Sequence, residues 1–194
     1  GLRDRAKPVV GKADVNSYKC EGDAVRSQGV RIYGPGASAS QDLEPEYIAV
    51  SADGATAWVT LQENNALAII DIATASVTDI VTLGETDRSI AGNGIDASDD
   101  DEVIDIKTFA GVVGLYLPDS IHGYTVNGKT YLVTANEGDA RAWGEDNDAY
   151  WGEEADEDAV PPVACMPDAS QGFVEEFRVK HLVHNSGFAR RCGD

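Results

Sequence analysis

Between residues 45 and 83 apolar and polar positions alternate in short runs, and a turn signal stands at every break. The run EYIAVS (46–51) ends at Asp53-Gly54, a pair that supplies the positive φ angles of a tight hairpin turn at little cost. ATAWVTL (55–61) follows, then the polar Gln62-Glu63-Asn64-Asn65, then ALAIIDI (66–72), a break at 73–76, and VTDIVTL (77–83). No helical period fits these runs. The pattern predicts antiparallel strands in sequential order, the makeup of one propeller blade or one meander sheet. Such a sheet has two faces to cover, so neighbours are expected.

One neighbour shows as an internal repeat. GATAWVTLQE (54–63) aligns with GKTYLVTANE (128–137), Pro45-Glu46-Tyr47-Ile48 answers Pro118-Asp119-Ser120-Ile121, and Asp53-Gly54 answers Asn127-Gly128. The apolar alternation at 131–135 predicts a buried strand. The period of about seventy residues exceeds the roughly 40–45 of a four-stranded blade, so residues 84–117 read as an insert. The predicted fold class is all-β, part of a β-propeller of four-stranded antiparallel blades with long inserted loops. Residues 1–44 form a lead-in or part of a preceding blade, with a strand expected at 29–33 (GVRIY). Residues 45–83 form a blade, 84–117 the insert, 118–182 a second blade with an acidic insertion at 142–173, and 183–194 a tail. A propeller closes with four or more blades. The expected partners are therefore the remaining blades of the same longer polypeptide, together with a ligand of unknown kind.

The runs LEPEYIAVSADGATAWVTLQENNALAIIDIATASV, AGNGIDASD, YLVTANEGDAR and EEFRVK, in that order, resemble the choice-of-anchor I domain proteins, secreted proteins of bacteria. Members also carry the names mesenchyme-specific cell surface glycoprotein-like and alkaline phosphatase-like. The resemblance covers about residues 42–182 and implies a large extracellular or cell-surface β-propeller. The chain departs from the family at 142–173, where the path from ANEGDAR to EEFRVK is long and acidic.

Composition narrows the function classes. With 34 acidic against 15 basic residues the formal charge is −19, which repels nucleic acid and anionic membranes and attracts divalent cations. A nucleic-acid partner is excluded on this ground. No apolar run approaches the roughly 18–20 residues of a transmembrane helix. The three cysteines, Cys20, Cys165 and Cys192, lie in no CxxC or Cys/His cluster. Cys165 with Cys192 and Cys20 with Cys165 are both open as disulfide pairings.

Two constellations carry candidate chemistry. Asp96, Asp99 and Asp101 crowd a loop that could wrap calcium or another divalent cation, which wants six to eight oxygen ligands. It is no EF-hand: counting from Asp96, Asp101 stands where the invariant glycine belongs and Lys107 where the bidentate glutamate belongs. A solvated acidic turn fits the same residues. The second constellation is Asn136, Glu137, Asp139 and Arg141 at a strand end, with Glu63 and Asn64 at the matching place in the first unit. Polar groups at strand ends converge on a propeller rim. Arg141 beside Asp139 offers either a two-pronged anion clamp or an internal ion pair that pins the loop. Asp119 and His122 are further rim candidates, with His122 a possible metal ligand or base or a hydrogen-bonded structural residue. There is no GxSxG, HExxH or P-loop signature. The reading is a secreted module for binding or scaffolding, with calcium as a candidate stabiliser; the alternative is a metal-dependent phosphoric-ester hydrolase.

Overall fold

Alternation becomes a four-stranded antiparallel sheet in the computed structural model of the chain, which describes residues 11–15, 22–34, 37–98 and 102–141. Its strands are β1 (Pro45–Val50), β2 (Thr56–Leu61), β3 (Ala66–Asp71) and β4 (Ser76–Thr82), paired in sequential order. The turns behind this order differ in chemistry. Between β1 and β2 the expected two-residue turn is wider: Ser51 N donates to Thr56 O at 2.8 Å, and only Gly54 (φ 73) takes a positive φ. Asp53 causes the widening, because its Oδ1 accepts the Ser51 hydroxyl at 2.6 Å and the Ala55 N–H at 3.1 Å. The two other turns close on residues with positive φ, Asn65 (51) and Ala75 (50). Asp71 opens the second of these; the Thr74 N–H and hydroxyl bonds hold its carboxyl below the usual carboxylate range.

One face of this sheet carries the core. Val59, Leu61, Ala66, Ala68 and Ile80 pack with Val25, Val30, Ile32, Ala39 and Leu43. Full burial of a side chain such as Leu61 contributes about 1.5–3 kcal/mol. The lead-in is thus a cover laid on the sheet. Its described residues hold two short helices, α1 (Gly22–Ser27) and α2 (Ala39–Asp42), and no strand at 29–33. Gly29 (φ 90) turns the chain directly after α1, and Arg31 N donates to Asn64 O at 3.0 Å without a ladder following. The period-two pattern of Val30 and Ile32 reports burial on one side, which a chain lying on a sheet needs as much as one within it.

The insert is closed by a ribbon of β5 (Glu85–Asp87) and β6 (Val113–Leu115). Arg88 lies across Gly114, where a Cβ would fall 2.5 Å from the guanidinium, and Arg88 Nη1 donates to Asn93 O at 3.2 Å. The apolar alternation at 103–106 makes no strand: Ile104 is 89% exposed.

The second unit contributes a hairpin of β7 (Pro118–Val126) and β8 (Lys129–Asn136). Its turn is the tight one, with Asn127 and Gly128 at φ 52 and 75. Both hairpins shift register just after their first proline, between Pro45 and Ile48 and between Pro118 and Ile121. β7 lies beside β1 and β2, and the buried Thr60 hydroxyl donates to Asp119 O at 2.9 Å. The expectation of a buried strand at 131–135 does not hold, since Tyr131 is 40% and Val133 53% exposed. Among the described residues β8 pairs only with β7, so no third strand draws it inward.

Candidate functional site

Where β2 and β8 end, the chain buries a charge. Asp42, the last residue of α2, is fully buried, so its carboxylate needs partners for every lone pair it takes out of water. Local chain geometry supplies the first two: Gly34 N donates to Oδ1 at 2.7 Å and Tyr33 N to Oδ2 at 3.1 Å. Arg141 supplies the counter-charge. Its Nη1 lies 3.2 Å from Asp42 Oδ1 and its Nη2 donates to Oδ2 at 3.4 Å, while Nη1 also donates to Asp42 O at 3.1 Å. Glu44 stands 3.8 Å from the same guanidinium.

Asn64 completes the cluster from the turn between β2 and β3. Its Nδ2 donates to Arg31 O at 2.8 Å and to Asp42 Oδ2 at 3.0 Å, and its Oδ1 accepts Glu44 N at 3.2 Å. Two separate stretches of chain, at Arg31 and at 42–44, therefore meet on one amide. Arg31 in turn donates from Nη1 to Glu63 O at 3.1 Å and stacks its guanidinium 4.6 Å from the Tyr33 ring centre.

Glu63 is the electrostatically odd member. Its Oε2 is buried and accepts no hydrogen bond among the described residues. Burial pushes its carboxyl above the usual range, the Glu44 and Glu46 charges push the same way, and its own backbone N–H and Arg141 oppose them. Next to it, Gln62 Nε2 donates to Glu137 Oε2 at 3.3 Å, which ties the end of β2 to the end of β8. Glu63, Asn64, Glu137 and Arg141 thus lie close to where β2 and β8 end.

The other candidates stand apart from this bonded cluster. Asn136 is exposed and accepts the Thr134 hydroxyl at 2.9 Å. Asp139 is exposed and accepts the N–H of Ala140 at 3.1 Å; the carboxylate paired with Arg141 is Asp42, not this sequence neighbour. Asp119 is half-buried and enters through its backbone carbonyl, and His122 is exposed on β7 opposite Val133. Asp96 Oδ2 accepts Asp105 N at 3.1 Å, while Asp99 and Asp101 lie outside the described residues. Among the described residues no three His, Cys, Asp or Glu side chains are placed to hold a metal. Cys20, Cys165, Cys192 and the acidic stretch 142–173 also lie outside them.

Sequence reasoning missed Asp42, Arg31 and Asn65. Asp42 follows a Ser/Ala run and precedes an apolar Leu43, so nothing in its spacing marks it as buried. Chemically the cluster is closed. Arg141 is 5% exposed and already bound by a carboxylate in a two-pronged way, so it does not present an open anion clamp.

No helix among the described residues is long and apolar enough to cross a membrane. No curated protein and no solved structure matches the chain. A family model described as the choice-of-anchor I domain matches residues 2–181, which extends the likeness through the lead-in that covers the sheet. With nearly its whole length matched, the chain belongs to the choice-of-anchor I domain family.

Proposed function

We propose that this chain is a secreted or cell-surface module for binding or scaffolding, built as part of a β-propeller whose remaining blades belong to the same longer polypeptide. Family membership supports the surface setting, and two hairpins with the same proline register shift, set side by side, support the propeller. The observation that carries the non-enzymatic reading is the pairing of Arg141. The hydrolase alternative rests on this guanidinium as an anion clamp, whereas it is buried and paired with Asp42. Calcium belongs to the proposal as a stabiliser, held by Asp96, Asp99 and Asp101 in the insert, since hard cations favour carboxylate oxygens.

An assay of the purified chain on a generic phosphate ester, with and without chelator, tests the reading. The expected result is no turnover above buffer in either condition. Turnover that chelator removes and Arg141→Ala abolishes, with melting unchanged, would overturn the module in favour of a metal-dependent hydrolase.

A further inference from the structure

Two Asn-Gly steps lie among the described residues, Asn93-Gly94 and Asn127-Gly128, and they sit in opposite surroundings. Asn93 is half-buried, its Nδ2 donates to Asp87 O at 3.0 Å, and its N donates to Ile90 O at 3.0 Å. Gly94 behind it is wedged, with Lys107 O 3.0 Å from where a Cβ would be. Asn127 forms the tip of the β7–β8 hairpin and is exposed, as is Gly128, and a Cβ on Gly128 would meet nothing within 4 Å. Among the described residues nothing hydrogen-bonds the Asn127 side chain.

We propose that Asn127 is a site of spontaneous covalent modification, deamidating through a cyclic imide formed with Gly128. The Gly128 backbone nitrogen loses its proton to hydroxide and attacks Asn127 Cγ. A carbon–nitrogen bond forms there, the bond to the side-chain amide nitrogen breaks, and ammonia leaves. Water then adds to either carbonyl of the imide and opens it to aspartate or isoaspartate, so the balance is loss of ammonia and gain of water. Glycine is the residue this step needs, because the absence of a side chain leaves its nitrogen free to swing onto Cγ. A two-residue tip also frays before the rest of its hairpin, which supplies the bent geometry that the ordered turn does not hold.

The two products differ in what they do to the fold. Aspartate keeps the turn and adds a charge beside Lys129. Isoaspartate routes the main chain through Cβ and lengthens the connection, so the two-residue turn that sets Val126 opposite Lys129 cannot be kept.

The test is a time course of the full chain in mildly alkaline buffer, followed by peptide mapping for the mass gain of about one dalton that replacing an amide with an acid produces. In the folded chain Asn127 is expected to react about tenfold faster than Asn93, and in denaturant the two rates should converge, because only structure distinguishes them. Equal rates in the folded chain, or an intact Asn127 over a period in which the denatured chain reacts, would overturn the proposal. Separating the aspartate and isoaspartate peptides gives the second readout: without isoaspartate, the imide route is rejected.

Discussion

Arg141 and Asp42 stand 99 residues apart in sequence and meet with both charges out of water. Removing one partner of such a pair leaves the other buried and uncompensated, which costs about 3–5 kcal/mol. Arg141→Ala is therefore expected to lower stability by that much in denaturant unfolding, and an apolar residue placed at Asp42 as well should not restore it, because the Tyr33 and Gly34 N–H groups and the Asn64 amide would lose their acceptor. A change below about 1 kcal/mol for Arg141→Ala would show that the pair does not hold these strand ends together. Glu63 makes a prediction of opposite sign. Its folded carboxyl titrates above the ordinary value of 4.5, so the folded state binds the proton more tightly than the unfolded state. The stability this provides is complete below 4.5 and is lost as pH rises through the raised value. Glu63→Gln should match the wild type in acid and exceed it near neutrality, measured as the difference in denaturant midpoint at the two pH values; a difference that does not move with pH would reject the burial account.

At the scale of elements, Asn65 joins what the insert would otherwise separate. It closes the turn between β2 and β3 with φ 51, its Nδ2 donates to Gly84 O at 2.6 Å, and its Oδ1 accepts Tyr116 N at 3.0 Å and Leu117 N at 3.2 Å. Both ends of the insert are thereby fastened to the four-stranded sheet. Leaving the buried Leu117 N–H unsatisfied costs about 1–3 kcal/mol, and alanine adds about 1–2 kcal/mol for the left-handed backbone. Asn65→Ala should therefore cost about 3 kcal/mol or more, and Asn65→Gly, which relieves only the backbone, should keep most of the loss. A glycine variant as stable as wild type would show that the side-chain bonds contribute nothing. The strands around Asn65 were legible in sequence because alternation and turn residues act locally; the break at 62–65 is visible without knowing what it touches. The helices α1 and α2 were not, because runs of six and four residues are too short for a helical period to show and are held by packing on the sheet. Arg141 could be marked as an ion-pair candidate, while Asp42 could not, since no spacing rule links residues so far apart. The exposed β8 makes the same point from the other side: alternation tells which face is apolar and is silent on what covers it.

Across the whole molecule, net charge acts on stability at long range. At −19 the chain repels itself, and compact packing brings like charges closer than the unfolded chain does. Monovalent salt screens this over a Debye length of about 10 Å at 0.1 M, so the melting temperature should rise with salt even where no ion is bound at a site. The proposed calcium in the insert would add a second, distinguishable effect, because a cation held only by the folded state stabilises in proportion to the logarithm of its concentration over its dissociation constant. The expected outcome is that millimolar calcium raises the melting temperature above that in sodium chloride of matched ionic strength, that chelator reverses the increment, and that Asp96→Asn removes it while keeping the response to monovalent salt. If calcium and sodium give the same melting temperature at matched ionic strength, the insert's carboxylates act through screening alone and the module stands without a metal.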